Sequence, residues 1–257
     1  MLRHASEING YSIGATDGPI GKITDFLFDD RTWLVRWIVI DMADFLSPQK
    51  VLLPTSALSH VNNIGHQFAV RLTKAQVENS PSIDTDVPVS RLMESSVFDY
   101  YGWTPYWSDG FYMGGYGYGA AAMSQAGPGS TPQLRRAEPY LEAHADRHLR
   151  SMHEVAGYHL HASDGQVGHV AEFLLEDQDW SIHYLVVDTQ NWWPGKKVLI
   201  SPRSIQSVDW SLRSVMLSIA RQGIKDSPAY DGSQAVDRAY EYAYHGYYDH
   251  LPVAEPV

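Results

Sequence analysis

Hydrophobic and polar positions alternate along this chain in short β-type runs rather than at helical spacing. Gln67 to Leu72 places Phe68, Val70 and Leu72 on one face and polar or small residues on the other, the signature of a half-buried strand. Trp33 to Asp41 is almost continuously apolar, rich in β-branched and aromatic residues, and predicts a strand buried on both faces. Around these, Ile8 to Ile13, Ile20 to Asp29, Lys50 to Leu53 and Ser56 to Val61 read as further extended segments. Asp17-Gly18 between apolar runs marks a hairpin, because both residue types can take positive φ, and Gly21 marks a bulge or a close backbone approach. Thr73 is a candidate N-cap for a helical turn, Lys74 to Asn79, ended by Pro81.

The whole pattern then recurs. Displacing the sequence by 147 positions lays Asp17-Gly18-Pro19-Ile20-Gly21 on Asp164-Gly165-Gln166-Val167-Gly168. Trp33 falls on Trp180, Asp41 on Asp188, Lys50-Val51-Leu52 on Lys197-Val198-Leu199 and Ser80-Pro81 on Ser227-Pro228. No gap is needed between Leu2/Leu149 and Glu94/Glu241, so a unit of about 95 residues is present twice, and two small domains follow. Six short strands with tight turns can close into a small barrel that leaves no edge unpaired. Each copy adds a segment with helical spacing, Val89 to Tyr100 and Gln234 to His245. The expected domains are 1–100, a Gly/Tyr-rich linker over 101–147, and 148–250. The aromatic density of the linker suggests packing against a barrel or a neighbouring subunit, with a disordered loop as the alternative.

The ordered residues of each copy resemble the PRC-barrel family. They are Gly10-Tyr11, Asp17-Gly18, Ile20-Gly21-Lys22-Ile23, Asp25-Phe26-Leu27-Phe28-Asp29, Trp37 to Asp41 and Lys50 to Pro54, answered by Gly157-Tyr158, Asp164-Gly165, Val167 to Val170, Glu172 to Glu176, Leu185 to Asp188 and Lys197 to Ile200. The second copy departs at Ser201, where the first has Pro54, with Pro202 following at once. The resemblance implies a mainly β fold, two small PRC-like β-barrels in tandem, each with a short helical C-terminal extension. It also implies docking rather than catalysis, since it brings no catalytic set to transfer. The family includes stand-alone bacterial proteins and the cytoplasmic domain of the photosynthetic reaction-centre H subunit. A second reading is therefore an accessory protein of photosynthetic electron transfer, in peripheral contact with a membrane complex.

Composition narrows the chemistry. A net charge of −11, with no Lys/Arg cluster, argues against nucleic acid. The absence of cysteine removes disulfides, thiolate metal sites and cysteine nucleophiles. No apolar run suggests a signal peptide or a membrane-spanning helix, and a cytoplasmic location is expected. Phosphate-loop, dinucleotide and nucleophile-elbow motifs are missing, and no enzyme activity or cofactor is expected. Asp17/Asp164 and Asp41/Asp188 recur and raise a paired-carboxylate idea, but turn and strand-end roles suit them better. His159 and His161, two apart on a strand, face one way and are candidate metal ligands against a surface role; a histidine pH switch is a further alternative.

The aromatic residues are the stronger lead. Trp192 and Trp193, and Phe45 at the corresponding place in the first copy, lie in loops between strands. Trp103, Tyr106 and Trp107 follow the first extension, and Tyr244, Tyr247 and Tyr248 end the second. Such residues suit a partner-binding surface, internal packing, or both. The sequence thus reads as a non-enzymatic protein-binding or assembly module that self-associates into a homo-oligomer.

Overall fold

Two sheets of the same strand order organise the chain in a computed structural model, which describes residues 1–42, 49–62, 65–82, 89–107, 149–189, 196–232, 236 and 238–248. In chain order the first copy contributes β1 (Leu2–His4), α1 (Ala5–Ile8), β2 (Ser12–Ala15), β3 (Gly18–Asp29), β4 (Leu34–Met42), β5 (Lys50–Pro54), β6 (Leu58–Asn62), β7 (Gln67–Val70), α2 (Lys74–Glu78) and α3 (Arg91–Tyr101). The second contributes β8 (Leu149–Ser151), α4 (Met152–Val155), β9 (His159–Ala162), β10 (Gly165–Glu176), β11 (Ile182–Asp188), β12 (Lys197–Ile200), β13 (Ile205–Asp209), β14 (Ser214–Leu217), α5 (Arg221–Asp226), β15 (Ala229–Tyr230) and α6 (Arg238–Tyr248).

One sheet runs β5-β4-β3-β2-β7-β6, and the other runs β12-β11-β10-β9-β14-β13 with β15 added beside β12. The pairs β2·β7 and β9·β14 are parallel. The architecture is mainly β, as expected, and consistent with PRC-like barrels in tandem. The path of the first sheet ends at β5 and β6, which a single 3₁₀ turn, Thr55–Ala57, joins, so the sheet curls and its two ends meet at one turn. Among the described residues no helix is long and apolar enough to cross a membrane.

The compact units are not contiguous in sequence. One consists of Met1–Tyr11, Asp25–Arg36 and Ser151–Val257, the other of Ser12–Thr24 and Trp37–Arg150. Compactness therefore divides the chain differently from a cut at 1–100, 101–147 and 148–250. The first of these units shows why. Its β1 pairs with β10 through Leu2↔Glu176, Arg3↔Leu175 and His4↔Leu174. Its two long hairpins also meet tip to tip: the Val35 amide donates to the Trp180 carbonyl at 2.9 Å and the Ile182 amide donates to the Trp33 carbonyl at 2.8 Å. Both tryptophans take positive φ, 55° and 63°, so each tip turns its carbonyl toward the other. Phe26 and Phe28 pack there with Trp180 and Phe173. In the other unit, Ile13, Ile20, Ile23, Trp37, Ile38, Ile40 and Leu53 form the buried core.

The extensions are helical but end later than predicted. Ser90 caps α3 by accepting from the Met93 amide, and Gly102 ends it at φ 69°. The second extension continues past His245 to Tyr248, where Tyr247 donates to the Gly223 carbonyl at 2.6 Å.

Candidate functional site

Several recurrent polar residues turn out to hold backbone. Gly18 and Gly165 take the positive φ that the turn needs, whereas Asp17 and Asp164 do not. The Asp17 carboxylate instead accepts the Lys74 amide at 2.7 Å, and that of Asp164 accepts the Arg221 amide at 2.7 Å. Each thereby satisfies an orphan N–H at a helix start. Gly21 and Gly168 are close approaches: an added Cβ would sit 2.1 Å from the Asp41 carbonyl oxygen and 2.0 Å from that of Asp188. Both recurrent Asp pairs are thus engaged through backbone geometry.

In the unit containing Trp37, α3 presents Arg91, Glu94 and Phe98 along one face. Glu94 is 1% exposed, and its Oε2 accepts from Trp37 Nε1 and from the Tyr106 hydroxyl, both at 2.8 Å. Arg91 donates to the Tyr106 oxygen at 3.1 Å and lies 4.1 Å from the centre of the Trp107 ring. Phe98 packs against Trp37 at 4.9 Å and meets Trp107 edge-on at 5.4 Å. A buried carboxylate, a guanidinium and four rings therefore clamp the chain just after α3.

The other unit carries an open groove of about 700 Å³. The tip of the first copy's long hairpin supplies Arg31 and Trp33, β11 supplies His183 and Tyr184, the turn after β12 supplies Arg203, and α6 supplies Glu241 and His245. His183 Nδ1 stands 3.7 Å from Glu241 Oε1, and the Tyr184 hydroxyl stands 3.4 Å from His245 Nε2. Burial, reinforced by the Glu241 charge, pushes the Tyr184 hydroxyl well above the ordinary phenol range. Behind the groove, Tyr244 is 2% exposed and accepts the Ser201 amide at 2.8 Å.

Residues 2–77 match the PRC-barrel domain family. This segment is a PRC-barrel domain. No curated protein matches the chain. Within the PRC-barrel segment, the residues of the resemblance, Asp17-Gly18, Gly21 and Asp41, are those that set the hairpin, the helix cap and the close approach.

The predicted site residues fall into three groups. Phe45, Trp192 and Trp193 lie outside the described residues. Trp103, Tyr106 and Trp107 pack within their own unit, Trp103 stacking on Tyr101 at 4.3 Å. Tyr244 is a core residue grouped with Leu174, Tyr184, Val186, Leu199 and Tyr230, and Tyr248 packs against that cluster. Tyr247 is half-buried with its hydroxyl bonded to backbone.

His159 and His161 share the outer side of β9, His159 directly opposite His169 on β10. Among the described residues no group of three or more His, Asp or Glu is placed to hold a metal.

Sequence reasoning missed Glu94, Glu241 and Arg203. A signal existed for two of them: Arg91-Leu92-Met93-Glu94 recurs as Arg238-Ala239-Tyr240-Glu241. It also missed Asp25, a half-buried carboxyl that accepts from the Ser151 hydroxyl, the Phe26 amide at 2.8 Å and the His153 amide at 3.1 Å. Burial raises its pKa, and these hydrogen bonds only partly offset the rise.

Proposed function

We propose that this protein is a non-enzymatic binding and assembly module that docks a protein partner in the groove beside Tyr184 and self-associates. The supporting observation is the lining of that groove, where Arg31, Trp33, Arg203, His183 and Glu241 converge from both copies of the repeat. Arg, Trp and Tyr are the side chains most enriched at recognition sites, because they combine large contact area with directed polar groups. The second aromatic extension, packed into its own unit through Tyr244 and Tyr248, acts as a buttress that fixes one wall of the groove.

The reading is tested with a photo-crosslinking amino acid at position 203 of the full chain, alongside light scattering over a range of concentrations. The expected result is a cross-link from position 203 to a defined peptide of a second chain, and a mass above that of the monomer. A monomer at every concentration, with no cross-linked partner peptide, would overturn it.

A further inference from the structure

The helix face that lines the groove has a counterpart elsewhere in the molecule, and the counterpart is filled. At the 147-residue displacement, Trp37, Glu94 and Phe98 correspond to Tyr184, Glu241 and His245. The first three form the clamp on Tyr106 and Trp107, where the tyrosine hydroxyl donates to Glu94 and the tryptophan lies under Arg91. The second three line the open groove. The chain positions corresponding to Tyr106 and Trp107 are Val253 and Ala254, which carry neither a hydroxyl nor a ring.

We propose that the groove takes a peptide segment of a protein partner that carries a tyrosine next to a second aromatic residue. The segment would reproduce in this unit the contacts that Tyr106-Trp107 makes in the other. Each chemical component is present. Glu241 provides the acceptor for a tyrosine hydroxyl, as Glu94 does. Arg203, from the turn after β12 and not from the helix position of Arg91, provides a guanidinium for a ring face, and His245 provides a ring edge in place of Phe98. A tyrosine hydroxyl on a carboxylate is a charge-assisted hydrogen bond, and a guanidinium over an aromatic face adds attraction and orientation. This inference rests on the reading of the groove as a docking site and specifies the chemistry of its occupant.

The probe is a fluorescein-labelled peptide with the sequence of residues 102–107, Gly-Trp-Thr-Pro-Tyr-Trp, titrated with the full chain and followed by fluorescence anisotropy. Saturable binding is expected. It should weaken about tenfold when the peptide tyrosine is replaced by phenylalanine, and about tenfold in Glu241→Gln. Arg203→Ala, a substitution at an exposed position, should weaken it several-fold, with circular dichroism reporting an intact fold for both variants. No saturable binding, or binding that survives both the Tyr→Phe and the Glu241→Gln changes, would overturn the proposal. So would displacement of the peptide by inorganic phosphate with no dependence on the tyrosine hydroxyl, which would identify a small-anion groove. If the peptide fails while the cross-link from position 203 still reaches a partner, only the aromatic chemistry falls; if both fail, the docking reading falls too.

Discussion

Asp17 caps a helix 57 residues further along the chain, its Oδ1 accepting the Lys74 amide at 2.7 Å. Asp164 and Arg221 repeat the relationship at the same separation and distance. The Asp of the Asp-Gly turn is thus a long-range tie between a hairpin and the helix that follows the last strands. The two ties are not equally supported. In the first copy Thr73 also caps the helix, with a capping box to Gln76, whereas Ala220 brings no side-chain cap to the second.

Removing these caps should therefore have unequal effects. Asp17→Ala and Asp164→Ala are each expected to destabilise the fold by about 1 kcal/mol, with Asp164→Ala the larger. Asn at either position should recover most of the loss, because an amide oxygen can still accept the N–H. Denaturant unfolding of the four variants checks the order; equal losses in the two copies would contradict it.

Glycine substitutions should have opposite signs at different places. Gly21→Ala and Gly168→Ala drive a methyl into backbone carbonyls, which cannot swing aside like a side-chain tip, and should each cost about 1–3 kcal/mol or more. Gly246→Ala meets nothing within 4 Å on α6 and should gain up to about 1 kcal/mol through a less flexible unfolded chain. Thermal melting of the three variants distinguishes them.

Loss of the buried carboxylate in the aromatic clamp should release the segment it holds. Glu94→Ala leaves the buried Trp37 N–H without its acceptor and should cost about 1–3 kcal/mol, with Glu94→Gln milder because its carbonyl still accepts one donor. Tryptophan emission should shift to the red in Glu94→Ala below its unfolding transition, as Trp107 loses its packing. An unshifted spectrum would mean that the clamp holds without the carboxylate.

Stability should fall steeply in alkali. Burial, the main cause in each case, raises Tyr184, Tyr244 and Tyr248 well above the usual phenol range and pushes Tyr240 up to about 12. Groups whose pKa is raised by folding stabilise the folded state fully below their unfolded value near 10, and that contribution is lost as pH rises through the folded values. The fold should therefore hold up to about pH 10 and weaken progressively between about 10 and 12. Phenolate absorbance at 295 nm and far-ultraviolet circular dichroism should change together; phenol ionisation with an unchanged fold would contradict the burial of this cluster.

Much of this was legible in local pattern. The alternation in Gln67 to Leu72 and the apolar run to Ile40 located strands that the structure contains, because side-chain period and burial are local consequences of a pleated backbone. The close approach at Gly21 and the cap at Thr73 were equally readable, since each depends on one residue type at one place. The Asp17–Lys74 tie was not, because nothing in either residue's neighbourhood names a partner 57 positions away. Glu94 and Glu241 escaped for a different reason: a carboxylate on a helix is ordinarily solvated, and the burial of Glu94 beside Trp37, like the place of Glu241 beside Tyr184, depends on a side chain arriving from another strand.

What the chain determined by itself is a repeated unit, its strands and turns, and the glycine and aspartate positions that shape each PRC-like sheet. Tertiary structure decided which segments are compact together. β1 of the first copy lies on β10 of the second, and Trp33 and Trp180 exchange hydrogen bonds with Ile182 and Val35. Two copies of one pattern offer nearly equivalent backbone edges to a short strand, and main-chain N–H and C=O groups carry no residue identity. The choice between the two edges therefore rests on the side chains that three-dimensional packing brings beside them, Phe26, Phe28, Phe173 and Trp180 among them.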